Sequence, residues 1–96
     1  MASVDAQVFV ISVAAELAGM HPQTLRQYDR LGIVSPVRAP GRGRRYSLRD
    51  VAILREVQRL SVEEGINLAG IKRILALETE VERLRAQVEA LREIVE

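Results

Sequence analysis

Two short amphipathic segments lie near the start of the chain. The first has an apolar helical face made of Val13, Ala14, Leu17 and Ala18, and Gly19 follows where glycine commonly ends a helix. A second segment begins at Pro22, which fits a first helical position, and Gly32 is placed to end it. Its predicted buried face consists of Leu25, Tyr28 and Leu31, which fall three positions apart. Two short helices joined by a glycine-containing turn predict a helix-turn-helix, although many helical hairpins share this pattern.

The stretch from residue 37 to residue 47 combines turn-forming residues with positive charge. Its sequence, VRAPGRGRRYS, holds four Arg and no acid. Gly41 and Gly43 permit a tight reversal, so the pattern predicts two short strands that form a β-hairpin, or wing. Because side chains alternate along a strand, Arg44 and Tyr46 are expected on one face of the wing and Arg45 on the other.

Helical periodicity returns after the wing. A third helix is predicted from Leu48 to about Glu64, with Gly65 placed to stop it. Its predicted core side comprises Leu48, Val51, Leu54, Val57 and Leu60. A fourth helix is predicted from the apolar residues Leu68, Ile71, Ile74 and Leu75. No Gly or Pro follows Gly70, so no break is predicted between this helix and the C-terminal segment.

The C-terminal segment carries a heptad repeat. Apolar residues alternate at spacings of three and four from Ile74 over three heptads, separated mostly by Glu, Arg, Gln and Ala. The predicted seam comprises Leu77, Val81, Leu84, Val88, Leu91 and Val95. Because such a helix is marginal alone, we expect the seam to pack against a second copy of the chain; packing against the chain's own small domain is the alternative.

These patterns predict a mainly α protein in three parts. Residues 1–8 are expected to form a flexible N-terminal tail. A helix-turn-helix followed by a wing is predicted over residues 9–75. A coiled-coil dimerisation helix is predicted over residues 76–96.

Polar side chains stand where helix N-caps are expected. Ser12 precedes the first helix, and His21, immediately before the second, is more often a cap than a base contact or a pH sensor. Ser47 with Asp50 fits a capping box in which Asp replaces the usual Glu or Gln. Asn67 is expected to cap the fourth helix.

The net charge of +1 conceals an uneven distribution. Residues 1–21 carry a charge of −2, residues 22–59 a charge of +6 and residues 60–96 a charge of −3. A basic centre between acidic ends suggests a surface that binds a polyanion. Thirteen of the fourteen basic residues are Arg, whose planar fork of donors suits phosphate oxygens and guanine edges. High-GC codon usage would also favour Arg, but it does not explain the clustering.

Several functional classes are disfavoured. No nucleophile–base pair, phosphate-cradling loop with a Lys or pair of carboxylates is recognisable, so no enzymatic activity and no cofactor are expected. With no Cys and one His, neither a metal site nor redox sensing is expected. No apolar run approaches the ~20 residues that span a bilayer, and the first apolar stretch lacks a basic leader. We therefore expect a cytoplasmic protein without a membrane partner.

Three strings of the chain together resemble a known family of regulators. They are ISVAAELAGMHPQTLRQYDRLGIVSP (residues 11–36), GRGRRYS (residues 41–47) and NLAGIKRI (residues 67–74). Over residues 9–75 the chain resembles the DNA-binding domain of MerR-type regulators, and HPQTLRQYDRLGIVSP with GRGRRYS resembles their heat-shock repressor branch, called HspR. The resemblance implies a winged helix-turn-helix and a homodimer joined by an antiparallel coiled coil. It also implies repression of chaperone genes from an inverted repeat, with an Hsp70-type chaperone as co-repressor.

Binding to double-stranded DNA requires residues that read base edges and residues that contact phosphate. The second helix opposes its apolar face with Gln23, Arg26, Gln27 and Arg30. Gln pairs with adenine and Arg with guanine in the major groove, so Gln23, Arg26 and Gln27 are the predicted base readers. The resemblance implies that Thr24, Arg26 and Tyr28 face DNA, and at Gln27 many relatives carry Tyr, so contacts there are expected to differ. A solvated polar face is the alternative.

The predicted phosphate contacts lie on the wing, and they are Arg38, Arg42, Arg44 and Arg45. The resemblance implies that Arg44 lies near phosphate. Many relatives carry an apolar residue in place of Arg45 and an aromatic one in place of Gly43, so a more basic and more flexible wing is expected. Tyr46 is also a DNA-binding candidate because its hydroxyl could reach phosphate, although packing beneath the wing is slightly favoured.

The direction of the coiled coil stays open from the residues. Val at a and Leu at d are compatible with a parallel two-stranded coil. Antiparallel pairing would place Leu77 opposite Val95, Val81 opposite Leu91, and Leu84 opposite Val88 of the second copy. Glu78 would then lie near Arg92, whereas a parallel coil would bring Glu80 near Arg85, so charge does not decide. The resemblance favours the antiparallel pair, which would hold two basic domains at a fixed separation.

The predicted function is therefore sequence-specific repression of heat-shock or chaperone genes by a homodimer. Two alternatives remain. One is a short MerR-type regulator of another pathway, such as nitrogen control. The other is a non-specific module for nucleic-acid or protein interaction, which would bind without sequence preference.

Overall fold

The computed structural model describes residues 3–35, 37–39 and 43–95. Within these residues the chain forms, in order, α1 (Ile11–Ala18), α2 (Pro22–Arg30), β1 (Val37–Ala39), β2 (Gly43–Arg45), α3 (Leu48–Val62) and α4 (Leu68–Val95). The chain divides into two compact units after Gly65. The first unit contains α1–α3 and the two strands, and the second contains α4. The predicted mainly α fold, a winged helix-turn-helix followed by a long helix, is confirmed.

The turn between α1 and α2 is built around a left-handed glycine. Gly19 has a φ of 73°, which is strained for a residue with a Cβ. The N–H of Met20 donates to the carbonyl of Ala15 at 3.0 Å, as in a Schellman motif. α2 then starts with His21 as its N-cap, and the Nδ1 of His21 accepts the N–H of Gln23 at 3.2 Å. The predicted capping role of His21 is confirmed.

The predicted N-cap at Ser12 is wrong. α1 begins at Ile11, so Ser12 lies inside its first turn, and the N-cap Val10 makes no side-chain hydrogen bond. The reason is tertiary. Phe9 exchanges two backbone hydrogen bonds with Tyr46, and the helix begins as soon as this extended pairing ends.

The wing is a two-stranded antiparallel hairpin, as predicted. β1 and β2 pair with Val37 opposite Arg45, Arg38 opposite Arg44, and Ala39 opposite Gly43. The residue after β2, Tyr46, forms an isolated antiparallel bridge with Phe9. The segment before α1 thereby adds a third extended stretch beside the base of the wing.

α3 starts with the predicted capping box. The Oγ of Ser47 accepts the N–H of Asp50 at 3.0 Å, and the Oδ2 of Asp50 accepts the N–H of Ser47 at 2.9 Å. The predicted core residues Val51, Leu54, Val57 and Leu60 are buried. Leu48 was predicted with them but is 46% exposed. Residues three apart drift about 60° around a helix per step, so all five cannot share one face.

The core of the first unit determines which face of α2 is buried and which is exposed. Its buried cluster comprises Ala14, Ala15, Ala18, Leu25, Val34, Tyr46, Val51 and Leu54. α1 packs against both α2 and α3, and the three alanines on its inner face allow close approach. Because Leu25 is fully buried, the opposite face of α2 is left toward solvent.

The segment before α1 contacts the start of α3 over the residues that the structure describes. The backbone N–H of Arg49 donates to the carbonyl of Val4 at 3.0 Å. The Arg49 guanidinium also forms an ion pair with the Asp5 carboxylate. These two contacts would restrict Val4 and Asp5, and the flexibility expected of residues 1–8 stays a prediction.

The second unit is one uninterrupted helix. Asn67 caps α4 as predicted, because its Oδ1 accepts the N–H of Gly70 at 2.9 Å. Ile71 is buried, whereas the seam residues lie on the exposed surface of the single chain. α4 runs without a break through residue 75, so the boundary drawn there between a DNA-binding and a dimerisation part stays a prediction.

Candidate nucleic-acid interface

The outer face of α2 carries the predicted base readers. Gln23, Arg26 and Gln27 are all exposed, and Thr24 is half-buried. The guanidinium of Arg26 donates to the Oε1 of Gln23 at 3.3 Å, so these two side chains already form one hydrogen-bonded pair. Such a pair presents both donors and acceptors, as the edges of base pairs require.

A basic groove lies between α2 and β2. The residues that line it are Val10, Ile11, Arg26, Arg30, Gly43, Arg44 and Arg45. Four arginines therefore line one surface depression, and α2 and β2 contribute two each. Clustered Arg of this kind attracts a phosphate backbone. We call this feature the basic groove.

An acidic side chain lies at the edge of this basic surface. Asp29, in the last turn of α2, accepts from the Nη1 of Arg44 at 3.0 Å, and Arg44 and Asp29 are 25% and 15% exposed. The same carboxylate oxygen accepts the Tyr46 hydroxyl at 3.4 Å. Arg44 and Tyr46 thus share one face of the wing, as the strand alternation predicts, but that face is turned toward α2.

Tyr46 has to be corrected as a DNA-binding candidate. Its side chain is fully buried, and its hydroxyl is directed to Asp29, so it packs beneath the wing and does not lie on the surface. The pKa of Tyr46 is raised to about 12, chiefly by burial; the negative charge of Asp29 also raises it, whereas the nearby Arg44 lowers it. The hydroxyl stays protonated throughout the physiological range.

The other candidates differ in how the structure places them. Arg30 is exposed in the last turn of α2. Tyr28 is half-buried and packs against the core cluster, so only part of its ring can face a ligand. The guanidinium of Arg45 donates to the carbonyl of Arg44 at 3.1 Å and lies partly buried. Arg38 lies in β1 opposite Arg44, and Arg42 lies outside the described residues.

Sequence reasoning missed Asp29. The available signal was its isolation, because Asp29 is the only acid between residues 17 and 49, a stretch that contains seven Arg. A single acid surrounded by cations is expected to be paired, but the partner depends on the fold. The pair between Asp5 and Arg49 was missed for the same reason.

The predicted dimer seam is uncovered in the single chain. The exposed fractions of its apolar residues range from 43% to 83%, and the residues are Leu77, Val81, Leu84, Val88, Leu91 and Val95. Ion pairs three residues apart, Glu80 with Arg83 and Glu89 with Arg92, support the helix around this stripe. Over the described residues, no helix has both the length and the apolar character that crossing a bilayer requires.

The fold and the basic groove together define a winged helix-turn-helix protein of the DNA-binding class. Comparison with known families makes this more specific. The model of the MerR HTH family of regulatory proteins matches residues 9–78, and the chain belongs to this family.

Relatives in three bacteria support the assignment. A Streptomyces coelicolor protein named as a heat shock protein, HspR, is 67% identical over 87 residues, which are 91% of this chain and 58% of that protein. The transcriptional regulator GlnR of Bacillus anthracis is 33% identical over 86 residues, 88% of this chain and 66% of GlnR. The transcriptional repressor CarH of Myxococcus xanthus is 36% identical over 70 residues, 72% of this chain and 23% of CarH. The chain therefore spans less than two thirds of the length of each of these relatives.

Proposed function

We propose that this chain is a homodimeric repressor of heat-shock or chaperone genes that binds an inverted repeat in DNA. Identity of 67% to HspR, twice that to GlnR, favours the heat-shock branch over nitrogen control. An exposed polar face on α2 beside a wing that carries Arg44 and Arg45 favours DNA as the ligand. The cytoplasm is the corresponding place of action.

The observation that carries the proposal is the basic groove. Arg26 and Arg30 from α2 and Arg44 and Arg45 from β2 border one depression, although strand β1 lies between these two elements in the chain. Scattered surface arginines would not converge in this way. A convergent site next to an exposed helix face suits a duplex, which offers phosphates and base edges side by side.

Two kinds of contact are proposed within this surface. Gln23, Arg26 and Gln27 would read bases in the major groove, because they occupy the early exposed positions of α2. Arg45 and Arg30 would contact phosphate, with Arg38 and Arg42 as further candidates on the wing. Each phosphate neutralised would add about −0.9 to the slope of log affinity against log salt concentration.

Dimerisation through α4 is proposed from the exposed seam. Apolar side chains that repeat every three and four residues along one helix are stable in water when a second helix covers them. A two-fold symmetric pair would match the symmetry of an inverted repeat. We propose the antiparallel arrangement, with Leu84 opposite Val88 of the second copy.

An Hsp70-type chaperone is proposed as the co-repressor. The support for it is the resemblance to the heat-shock branch and the relation to HspR. The simplest form of the proposal is that the chaperone tightens binding of the dimer to the operator.

Fluorescence anisotropy at two salt concentrations tests the proposal. One duplex carries the inverted repeat upstream of the organism's own Hsp70 operon, and the other carries the same bases in scrambled order. We expect a preference for the native duplex of about 10³ or more, and tighter binding when purified Hsp70 is added. Specific binding without an effect of Hsp70 would remove the co-repressor, and equal salt-sensitive binding to both duplexes would favour a regulator of another target or a non-specific module.

A further inference from the structure

The carboxylate of Asp29 is electrostatically misplaced for a surface that binds DNA. It lies on α2, one position from Arg30 and three from Arg26, and its partner Arg44 lines the basic groove. A negative charge in this position repels a polyanion. It also pairs with Arg44 and so reduces the charge that Arg44 can offer to phosphate. If Asp29 contributes to DNA binding, it must therefore do so by a means other than electrostatic attraction to DNA.

The contacts of Asp29 join two parts of the interface. Its Oδ2 accepts from Arg44 at 3.0 Å and from the Tyr46 hydroxyl at 3.4 Å, so one atom on α2 holds two successive residues of one wing face. A pair that is largely removed from solvent loses hydration, which is repaid only when the geometry is good and both partners stay in place. Such a pair selects one arrangement of the elements that it joins.

The wing needs such a contact. Its two strands are three residues long each, and an isolated hairpin of this length is marginally stable in water. The backbone bridge between Phe9 and Tyr46 fixes the base of β2, while Asp29 fixes its side-chain face against α2. A wing that is held before DNA arrives loses less conformational entropy on binding.

We infer that Asp29 is a positioning residue that holds the wing in register with the base-reading face of α2. By doing so it lowers affinity for DNA in general and raises preference for the cognate sequence. The second part of this inference rests on the proposed function, because it requires a cognate sequence.

Asp29→Asn distinguishes the loss of a repelling charge from the loss of wing positioning, because the two change the affinity for the inverted repeat in opposite directions. The change keeps the shape of the side chain but removes its charge, and it raises the net charge of the chain from +1 to +2. Simple electrostatics predicts tighter binding to every duplex. Positioning predicts tighter binding to the scrambled duplex but weaker binding to the inverted repeat, with the preference falling about tenfold or more.

Two further variants control for charge and geometry. Glu16→Gln removes one carboxylate from the exposed face of α1, where Glu16 lines the same shallow depression as Thr24, and it should tighten both duplexes without changing their ratio. Asp29→Glu keeps the charge, so it should retain more of the preference than Asp29→Asn. A ratio for Asp29→Asn within twofold of that for Glu16→Gln would overturn the specificity part of the inference.

Hydrogen exchange of the free protein tests the positioning itself. Asp29→Asn should speed exchange of the amides of residues 43–46 and leave those of residues 54–60 in α3 unchanged, whereas general destabilisation would speed both. Unchanged exchange in the wing would overturn the inference. If the wild type shows no preference between the duplexes, the proposed function fails, and the exchange result still decides whether Asp29 holds the wing.

Discussion

Phe9 and Tyr46 are joined backbone to backbone, with the N–H of each donating to the carbonyl of the other at 3.0 and 2.8 Å. This pairing brings the segment before α1 to the residue that directly follows the wing. It also places the Tyr46 ring in the core, where its hydroxyl meets Asp29. One residue therefore links the entry to the helix-turn-helix, the wing and the last turn of α2.

Tyr46 should make the stability of the protein sensitive to alkaline pH. Its pKa is raised from 10.0 to about 12 in the folded protein, mainly by burial. The folded state therefore holds the proton more tightly than the unfolded state does. The resulting stability is present below pH 10 and is lost as the pH rises through 12. Between pH 9 and pH 11 we expect a loss of about 1 kcal/mol in the free energy of unfolding from this group.

Tyr46→Phe is the comparison for this effect. Urea unfolding at the two pH values should show a smaller alkaline loss in the variant, because the Tyr46 phenol is absent and every other side chain is the same in both proteins. Equal losses would mean that the Tyr46 hydroxyl is not held protonated by the fold.

The capping box should make Ser47 more important than Ser12. Ser47→Ala removes the acceptor of the Asp50 N–H, and loss of such a cap typically costs about 1 kcal/mol. Ser12→Ala is the matched control, because Ser12 is exposed inside α1, where Ala is the better helix former. Thermal unfolding should show a lower Tm for Ser47→Ala only. A larger loss at Ser12 would show that α1 is capped there after all.

Arg26 and Arg45 should differ in what they contribute to DNA binding. Arg26→Ala removes a proposed base reader, so it should cost about 1–3 kcal/mol on the cognate duplex and relax preference at one position. Arg45→Ala removes a proposed phosphate contact, so it should weaken all duplexes alike and lower the salt slope by about 0.9. Anisotropy titrations on cognate and scrambled duplexes measure both. The same behaviour of the two variants on both duplexes would refute the division into readers and phosphate contacts.

The seam should decide the oligomeric state. Leu84→Asp places a charge among the apolar residues of the proposed interface, and sedimentation should show monomers that no longer bind the inverted repeat. Ala86→Asp introduces the same residue two positions later on the exposed outer side of the repeat, and it should remain dimeric. A dimer that survives Leu84→Asp would rule out this seam.

Disulfide trapping should give the direction of the coil, because the chain has no Cys of its own. An antiparallel pair places Leu84 opposite Val88, so Leu84→Cys and Val88→Cys chains should crosslink when mixed, whereas Val88→Cys alone should not. A parallel pair would place the two Val88 positions together and reverse this result. Size differences between two tagged chains identify the crosslinked species.

Local signals predicted most of the elements of this fold. Gly19, Pro22 and the pair Ser47 and Asp50 act through neighbouring backbone groups, so their roles follow from short stretches of sequence. The seam follows from apolar residues that alternate at spacings of three and four, which places them on one side of a single helix.

What escaped prediction depends on contacts between distant parts of the chain. Ser12 is not the N-cap of α1, because the pairing of Phe9 with Tyr46 lets the helix begin earlier. The partners of Asp29 lie 15 and 17 residues away in the sequence. For Tyr46, sequence left surface and core as alternatives, and only packing beneath the wing decides between them. The candidate residues on the outer face of α2 were predicted because the apolar face that contains Leu25 must be buried, which leaves the opposite, polar face exposed.

The uncovered stripe on α4 also has a consequence for gene control. If the active form is a dimer, its amount at low abundance rises with the square of the number of chains, because each act of assembly consumes two. Occupancy of the operator then changes over a narrower range of abundance than a monomer would allow. A modest change in the synthesis or degradation of this protein would thereby produce a large change in operator occupancy.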